Sequence, residues 1–305
     1  MITVIQTALP VFVALAMGMW CRSKGFVTRD GVDTLKKVAI NLTLPFVLFD
    51  SFASAEYSLT SLVLPMIMFL VCCAMLALGF FIVRKSKMNS KLAPFVASGF
   101  EAGMLGFPLF ALLFPNESLS RFAMLVLGQE IFVFTLYKML LTGKTSPKAI
   151  LQDLMSSPTL IAVILGILVG ATGLYRQLGV WGVSGIVDAV TSFVSAPTAM
   201  IILLAMGYDL VIRQIPWKKV TGLIGMRLGI AGAMLALLVL LNRTVLHGMI
   251  FEGAAVVLFI LPPPFIIPIF SNEPSERVQI SSALSAMTLV TMVLFALVSL
   301  VVSLG

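Results

Sequence analysis

Residues 258–270 read LFILPPPFIIPIF. The run is apolar enough for a membrane, yet it carries Pro262, Pro263, Pro264 and Pro268. Proline removes a helical hydrogen bond and clashes with the preceding turn, so a helix entering this stretch is expected to be interrupted. A second stretch of the same character, EAGMLGFPLF at 101–110, combines Gly103, Gly106 and Pro108 and predicts another interruption. Backbone groups freed at membrane depth cannot face lipid. They are buried in protein or line a hydrated cavity, where half-helix ends meet an ion or a substrate. Single prolines are more often kinks absorbed by packing, the reading preferred for Pro45, Pro65 and Pro197; the triple proline is read as a true break.

The rest of the chain fits this setting. Of 305 residues, 60% are hydrophobic and 11% charged, with a mean hydropathy of +1.10. Soluble domains run at about 45–50% apolar and about 25% charged. The apolar residues come in blocks of about 20, the length that spans about 30 Å of hydrocarbon. Ten helices are expected, at about 3–21, 32–52, 60–83, 93–114, 119–141, 157–175, 182–208, 218–241, 246–270 and 278–303. The first block is followed, not preceded, by its basic residues Arg22 and Lys24, and is read as a span and not as a secretory signal. The longest polar stretch, TGKTSPKAILQDLMS at 142–156, is a loop of ordinary size, so no soluble domain is expected.

Charge sets the orientation. After helices 1, 3, 5, 7 and 9 lie 17 of the 20 Lys and Arg, leaving Arg121, Arg176 and Arg243 for the other side. The positive-inside rule then puts the basic loops in the cytoplasm and both termini on the extracytoplasmic side of the cell (plasma or inner) membrane. The net charge of +7 therefore speaks of lipid-facing topology and not of a nucleic-acid partner. Cys21, Cys72 and Cys73 form no CxxC pair and have no histidine near them in sequence. Neither a metal site, a cofactor nor a disulfide framework is expected.

The chain also reads as two versions of one unit. Pro45 and Pro197 are 152 residues apart, as are Gly18 and Gly170, while Pro108 and Pro262 are 154 apart. Residues 1–150 and 151–305 are thus expected to be five-helix repeats. Five is odd, so the second copy enters from the opposite side, giving an all-α inverted repeat with helices 4 and 9 broken.

At these residues the sequence resembles the auxin efflux carrier family, which includes plant PIN-type carriers and bacterial relatives described as malonate or other organic-acid transporters. The resemblance covers most of the chain. It rests on NLTLPFVLF (41–49), GMLGFPL (103–109), QEIFVFTLYKML (129–140) and LPPPFIIPIF (261–270), in that order. It implies ten helices in two inverted repeats, helices 4 and 9 unwound where they cross near the midplane, and transport of organic anions through the crossing. Family members often have Asn seven residues before the crossover proline. Here that position is Glu101, and a carboxylate repels an anionic substrate unless protonated.

The candidate substrate-binding residues are Asn41, Glu101, Ala102, Gly103, Gln129, Pro262, Pro263 and Phe265; Gly103, Gly106, Pro108, Pro262, Pro263 and Pro264 are the candidate helix breakers. Glu101 and Glu130 are candidate proton carriers. An ionised acid near a helix centre costs about 2.5–3.5 kcal/mol, so each is expected to face the interior, find a donor or take up a proton. Gln129 points about 100° away from Glu130 around the helix, so the two are not expected to face one small site squarely. By the resemblance, Gln129 is the better substrate-side candidate. Arg227 either pairs with a carboxylate, attracts an anion or snorkels toward the cytoplasm in an anchoring role. Ser281, Ser285 and Thr288 form a polar stripe whose default use is packing. Asp188, Glu252 and the lone His247 are read as surface or vestibule residues.

The leading function is a secondary carrier that alternates access for a small organic-acid substrate, coupled to H+. Na+ coupling in a bile-acid-symporter-like fold is the alternative, and a channel or membrane receptor is the alternative of another class. No GxxxxGK[ST] loop suggests ATP drive, and no HExxH, facing Asp pair or His-supported Ser suggests an enzyme. The reading leaves room for a homodimer.

Overall fold

The computed structural model describes residues 2–58, 62–86, 90–143, 156–210, 215–270 and 273–304, and their regular structure is all helical, without strands. Residues 144–155, with Lys144 and Lys148, lie outside the described residues, as do Lys87 and Arg213 from the charge count. Among the described residues, five stretches are each long and apolar enough to cross a membrane: Val63–Lys85, Leu119–Thr142, Ser184–Asp209, Val220–Thr244 and Pro274–Val302. The pair Pro158–Ala171 and Leu174–Val180, bent by 63°, makes a sixth if taken as one.

Along the chain the helices run in the following order. Helix α1 is Ile2–Lys24. Helices α2 (Arg29–Val38) and α3 (Leu44–Ala53) are joined by a wide, π-type turn at Ala39–Thr43. Then come α4 (Val63–Lys85) and the single turn α5 (Ala93–Val96). A wide turn at Ala102–Gly106 leads into α6 (Phe107–Leu113). Helix α7 (Leu119–Phe132) passes through a wide turn at Val133–Tyr137 into α8 (Lys138–Thr142). The second half holds α9 (Pro158–Ala171), α10 (Leu174–Val180), α11 (Ser184–Ser195), α12 (Thr198–Asp209), α13 (Trp217–Thr244), α14 (Glu252–Ile260) and α15 (Pro274–Leu304).

Local chemistry explains several of these boundaries. Two of the wide turns end two residues before a proline, Pro45 and Pro108, whose missing N–H leaves a carbonyl without its usual helical donor. Pro65 lies inside the continuous α4, and Pro197 falls between α11 and α12 within one span, Ser184–Asp209. The Thr28 hydroxyl accepts the Gly31 N–H at 3.1 Å and caps α2. Helix α14 begins at Glu252, six residues later than the apolar run suggests. The reason is Asn242, whose side chain donates to Ile250 O at 3.0 Å and accepts the Ile250 N–H at 2.9 Å, holding residues 245–251 outside either helix.

Packing does not follow the two halves of the chain. Helix α1 lies along α12, and α9 along α3, so each half lends a helix to the other. Glycines let these backbones touch. A Cβ on Gly18 would stand 2.0 Å from Leu204 O, and one on Gly207 would stand 2.1 Å from Leu15 O. Without a hydrophobic drive between helices in lipid, such close van der Waals contact is a main source of association. A second group forms around α4, which packs on α5, α7 and α13, while α13 packs on α14 and α15. Its interior is aromatic: Phe110 stacks on Phe122 at 5.1 Å, and Phe107 meets the same ring edge-on at 5.1 Å.

Candidate functional site

The two interruptions meet. Helix α5 stops at Val96, and residues 97–101 are not helical. Gly99 there has φ +72°, and a Cβ on it would lie 2.9 Å from Pro264 Cγ, so both conformation and proximity require glycine. This interruption precedes Gly103, Gly106 and Pro108. Those residues belong instead to the wide turn and the start of α6, which follow the interruption. On the other side, α14 ends at Ile260 and residues 261–264 run without helix, starting from an extended Leu261 (ψ 151°). The Glu101 N–H donates to Pro262 O at 2.9 Å, and the Phe265 N–H donates to Glu101 Oε2 at 2.8 Å.

Other backbone oxygens freed by the breaks are also bonded, as a buried site in lipid requires. Arg227, 2% exposed, donates from Nη1 to Ala97 O at 3.0 Å and from Nη2 to Leu261 O at 3.1 Å. Its guanidinium also lies 4.6 Å from the Phe100 ring centroid. Arg227 is thus an internal brace, neither snorkelling nor bonded to a carboxylate. The Thr291 hydroxyl donates to Ile260 O at 2.6 Å, and the Ser98 hydroxyl ties the first break to Cys72 O at 2.7 Å. Gln129 Nε2 donates to Phe100 O at 3.2 Å and to Glu130 Oε1 at 2.9 Å.

A cavity of about 430 Å³ opens beside the joined breaks. Glu101, Ala102, Gly103, Gln129, Glu130 and Phe265 all line it, together with Leu44 and Phe52 from α3 and Leu160 from α9. Gln129 and Glu130 therefore share one site, against the expectation from their angular separation. The cavity wraps around that face of α7, and the amide folds back onto its neighbour's carboxylate. Pro262 and Pro263 are buried but do not line the cavity, whereas Pro264 does. Asn41 is exposed in the wide turn and lies off the cavity; Ile40 lines it instead. Sequence reasoning missed the aromatic wall of Phe52, Phe100, Phe107 and Phe134, because phenylalanine in an apolar block carries no mark of what it faces.

A second cavity, of about 580 Å³, has Arg29, Lys36 and Asp209 among its lining residues, as well as Ser281, Ser285 and Thr288. Ile40, Met104 and Phe265 line both cavities and so form the partition between them. The polar stripe of α15 thus borders this space, with the Thr288 hydroxyl also donating to Leu284 O at 2.9 Å. Among the candidates read as surface groups, Asp188 is exposed and accepts from the Tyr175 hydroxyl at 2.5 Å, Glu252 is paired with Arg243 at 2.8 Å, and His247 is exposed.

An interrupted, internally braced pair of apolar segments beside a cavity is what a solute path through a membrane needs, and comparison with known proteins agrees. Residues 3–152 match the membrane transport protein family. The resemblance to auxin efflux carriers read from the motifs rests on firm ground over that stretch. A protein of Methanothermobacter thermautotrophicus described as an uncharacterized transporter is 24% identical over 213 residues, covering 67% of each chain. With its apolar helices, the chain is a multi-pass membrane protein of the transporter class.

Proposed function

We propose that this protein is a secondary carrier of a small organic acid, moved together with a proton by alternating access. The observation that carries the reading is the link between the breaks: Glu101 bonds both Pro262 and Phe265, and the same carboxylate lines a cavity with Glu130 and Gln129. Two acids in an apolar cavity repel an anionic solute until a proton neutralises the site or the solute, and that requirement couples the two movements.

Counting each interrupted segment as one span gives ten, arranged as inverted repeats of 1–150 and 151–305 with the breaks crossing. Two matched contacts support the repeat. A Cβ on Gly18 would strike Leu204 O, and one on Gly170 would strike Phe52 O. Both the glycines and their partners are 152 residues apart. Because packing cuts across the halves, access alternates by movement of the α1, α3, α9 and α12 group against the group around α4 and α13. Basic loops then face the cytoplasm, and both termini face outward.

Sodium coupling is the less favoured alternative, since Arg227 already bonds Ala97 O and Leu261 O, the break carbonyls that would otherwise be free to ligate a cation. The test is uptake of labelled monocarboxylates into liposomes under an imposed pH or sodium gradient. We expect a pH gradient to drive saturable uptake and Glu101→Gln to uncouple it. Proton-driven flux left intact by Glu101→Gln removes the coupling role of Glu101, and flux that never saturates replaces the carrier with a pore.

A further inference from the structure

Gln129 is 1% exposed, and its side-chain oxygen has no hydrogen-bond partner. Its orientation is not arbitrary. The amide nitrogen serves Phe100 O and Glu130 Oε1, and turning the amide over would set its oxygen against two acceptors. The residue therefore leaves one buried acceptor at the cavity it lines, a costly arrangement unless a donor arrives.

The surroundings define that donor. Glu101 and Glu130 line the cavity, and no Lys, Arg or His does among the described residues. Arg227 of α13 stands behind the Phe100 ring with both terminal nitrogens committed to carbonyls. The Tyr137 hydroxyl donates to Phe95 O at 2.9 Å, and Cys72 of α4 is fully buried without lining the cavity. Helices α3 and α9, with the residue before α9, contribute apolar side chains and the hydroxyls of Ser157 and Thr159. A bare carboxylate here would lose its water and meet two acidic side chains and an amide oxygen, with no cation to pair with.

We infer that the solute is held in this cavity as an undissociated monocarboxylic acid with an apolar body, its O–H donated to Gln129 Oε1, and not as a carboxylate. The inference rests on the carrier reading and names the form in which that carrier takes its substrate. The proton then crosses on the solute, and the two glutamates act by excluding the anion. Dicarboxylates, which would bring a second charge, are refused.

A carboxamide is the neutral analogue that keeps a donor at every pH, so benzoate, benzamide and phthalate are the probes, read by thermal shift of the full-length purified protein. Benzamide is expected to raise the unfolding temperature equally at about pH 5 and about pH 8, because neither its donor nor its charge changes. Benzoate affinity is expected to fall about tenfold per pH unit across that range, and phthalate is expected not to bind. Gln129→Leu is expected to abolish the benzamide shift. Benzoate binding undiminished at the higher pH, or no benzamide binding where benzoate binds, overturns the inference and leaves the carrier reading standing. A benzamide shift that survives Gln129→Leu also overturns it. If no probe binds at either pH, the inference falls, and the carrier reading is decided separately by uptake under a pH gradient. The comparison of acid with amide uses the unaltered protein, so it decides even if the variant fails to fold.

Discussion

Arg227 donates to the carbonyl oxygen of Leu261 at 3.1 Å, at the point where α14 gives way to the triple proline. The same guanidinium reaches Ala97 O, just past the end of α5, so one buried side chain holds the ends of both interrupted helices. A planar fork with several donors can do this; a single ammonium cannot bond both oxygens as well.

Arg227→Met is therefore expected to leave two buried carbonyls without donors, at a cost of about 2–4 kcal/mol. Arg227→Lys should cost less, since a lysine can still serve one of them. Thermal unfolding in detergent of the three proteins checks the order. Equal stability of Met and wild type would mean that the carbonyls find other donors.

The glycine contacts make a matched pair of predictions. Gly18→Val and Gly170→Val push side chains into backbone at 2.0 Å and 2.7 Å, and each is expected to destabilise by about 1–3 kcal/mol or more. Gly229 has open space around it, so Gly229→Ala should be neutral or slightly stabilising through helix propensity. Unfolding temperatures of the three variants distinguish backbone contact from a general intolerance of glycine replacement.

Gly99→Ala tests the breaks directly. Its backbone is left-handed and its missing Cβ faces Pro264, whereas Gly143 is left-handed with nothing nearby. Ala at 143 should cost about 1–2 kcal/mol from conformation alone. Ala at 99 should cost more and also reduce uptake, because the two interruptions are forced apart.

These contacts mark what was legible in the chain and what was not. The triple proline and the Gly/Pro run of 101–110 stand out because they violate helix chemistry in apolar blocks, and a charge at Glu101 stands out for the same reason. The joining of the breaks depends on Glu101 bonding residues 161 and 164 positions away, which no local pattern encodes. Gln129 and Glu130 were separated by helical angle because that rule treats side chains as fixed spokes; a flexible amide and a broad cavity defeat it. Arg227 was visible as a charge in a span, but its partners are backbone oxygens, and backbone oxygens are the same at every position.

The mouth of the larger cavity supplies a kinetic prediction. Asp209 accepts from Arg29 at 2.5 Å through one carboxylate oxygen and from Lys36 through the other. All three line the cavity and are partly exposed, so the ion pairs contribute at most about 1 kcal/mol. Asp33 also contacts Arg29 at 3.3 Å and Lys36 at 3.5 Å, so both cations keep a partner when Asp209 is changed. Asp209→Asn should thus leave stability nearly unaltered while making the mouth more positive by one charge. If solute enters from bulk water by this route, where a carboxylic acid is mostly anionic, its initial uptake should quicken at low ionic strength. The gain should fade as salt approaches about 0.15 M, where the screening length is about 8 Å. Initial rates for wild type and Asp209→Asn across a salt series, with the protein oriented to present this mouth, check the argument. Rates that stay equal at every ionic strength would take the larger cavity off the path of the solute.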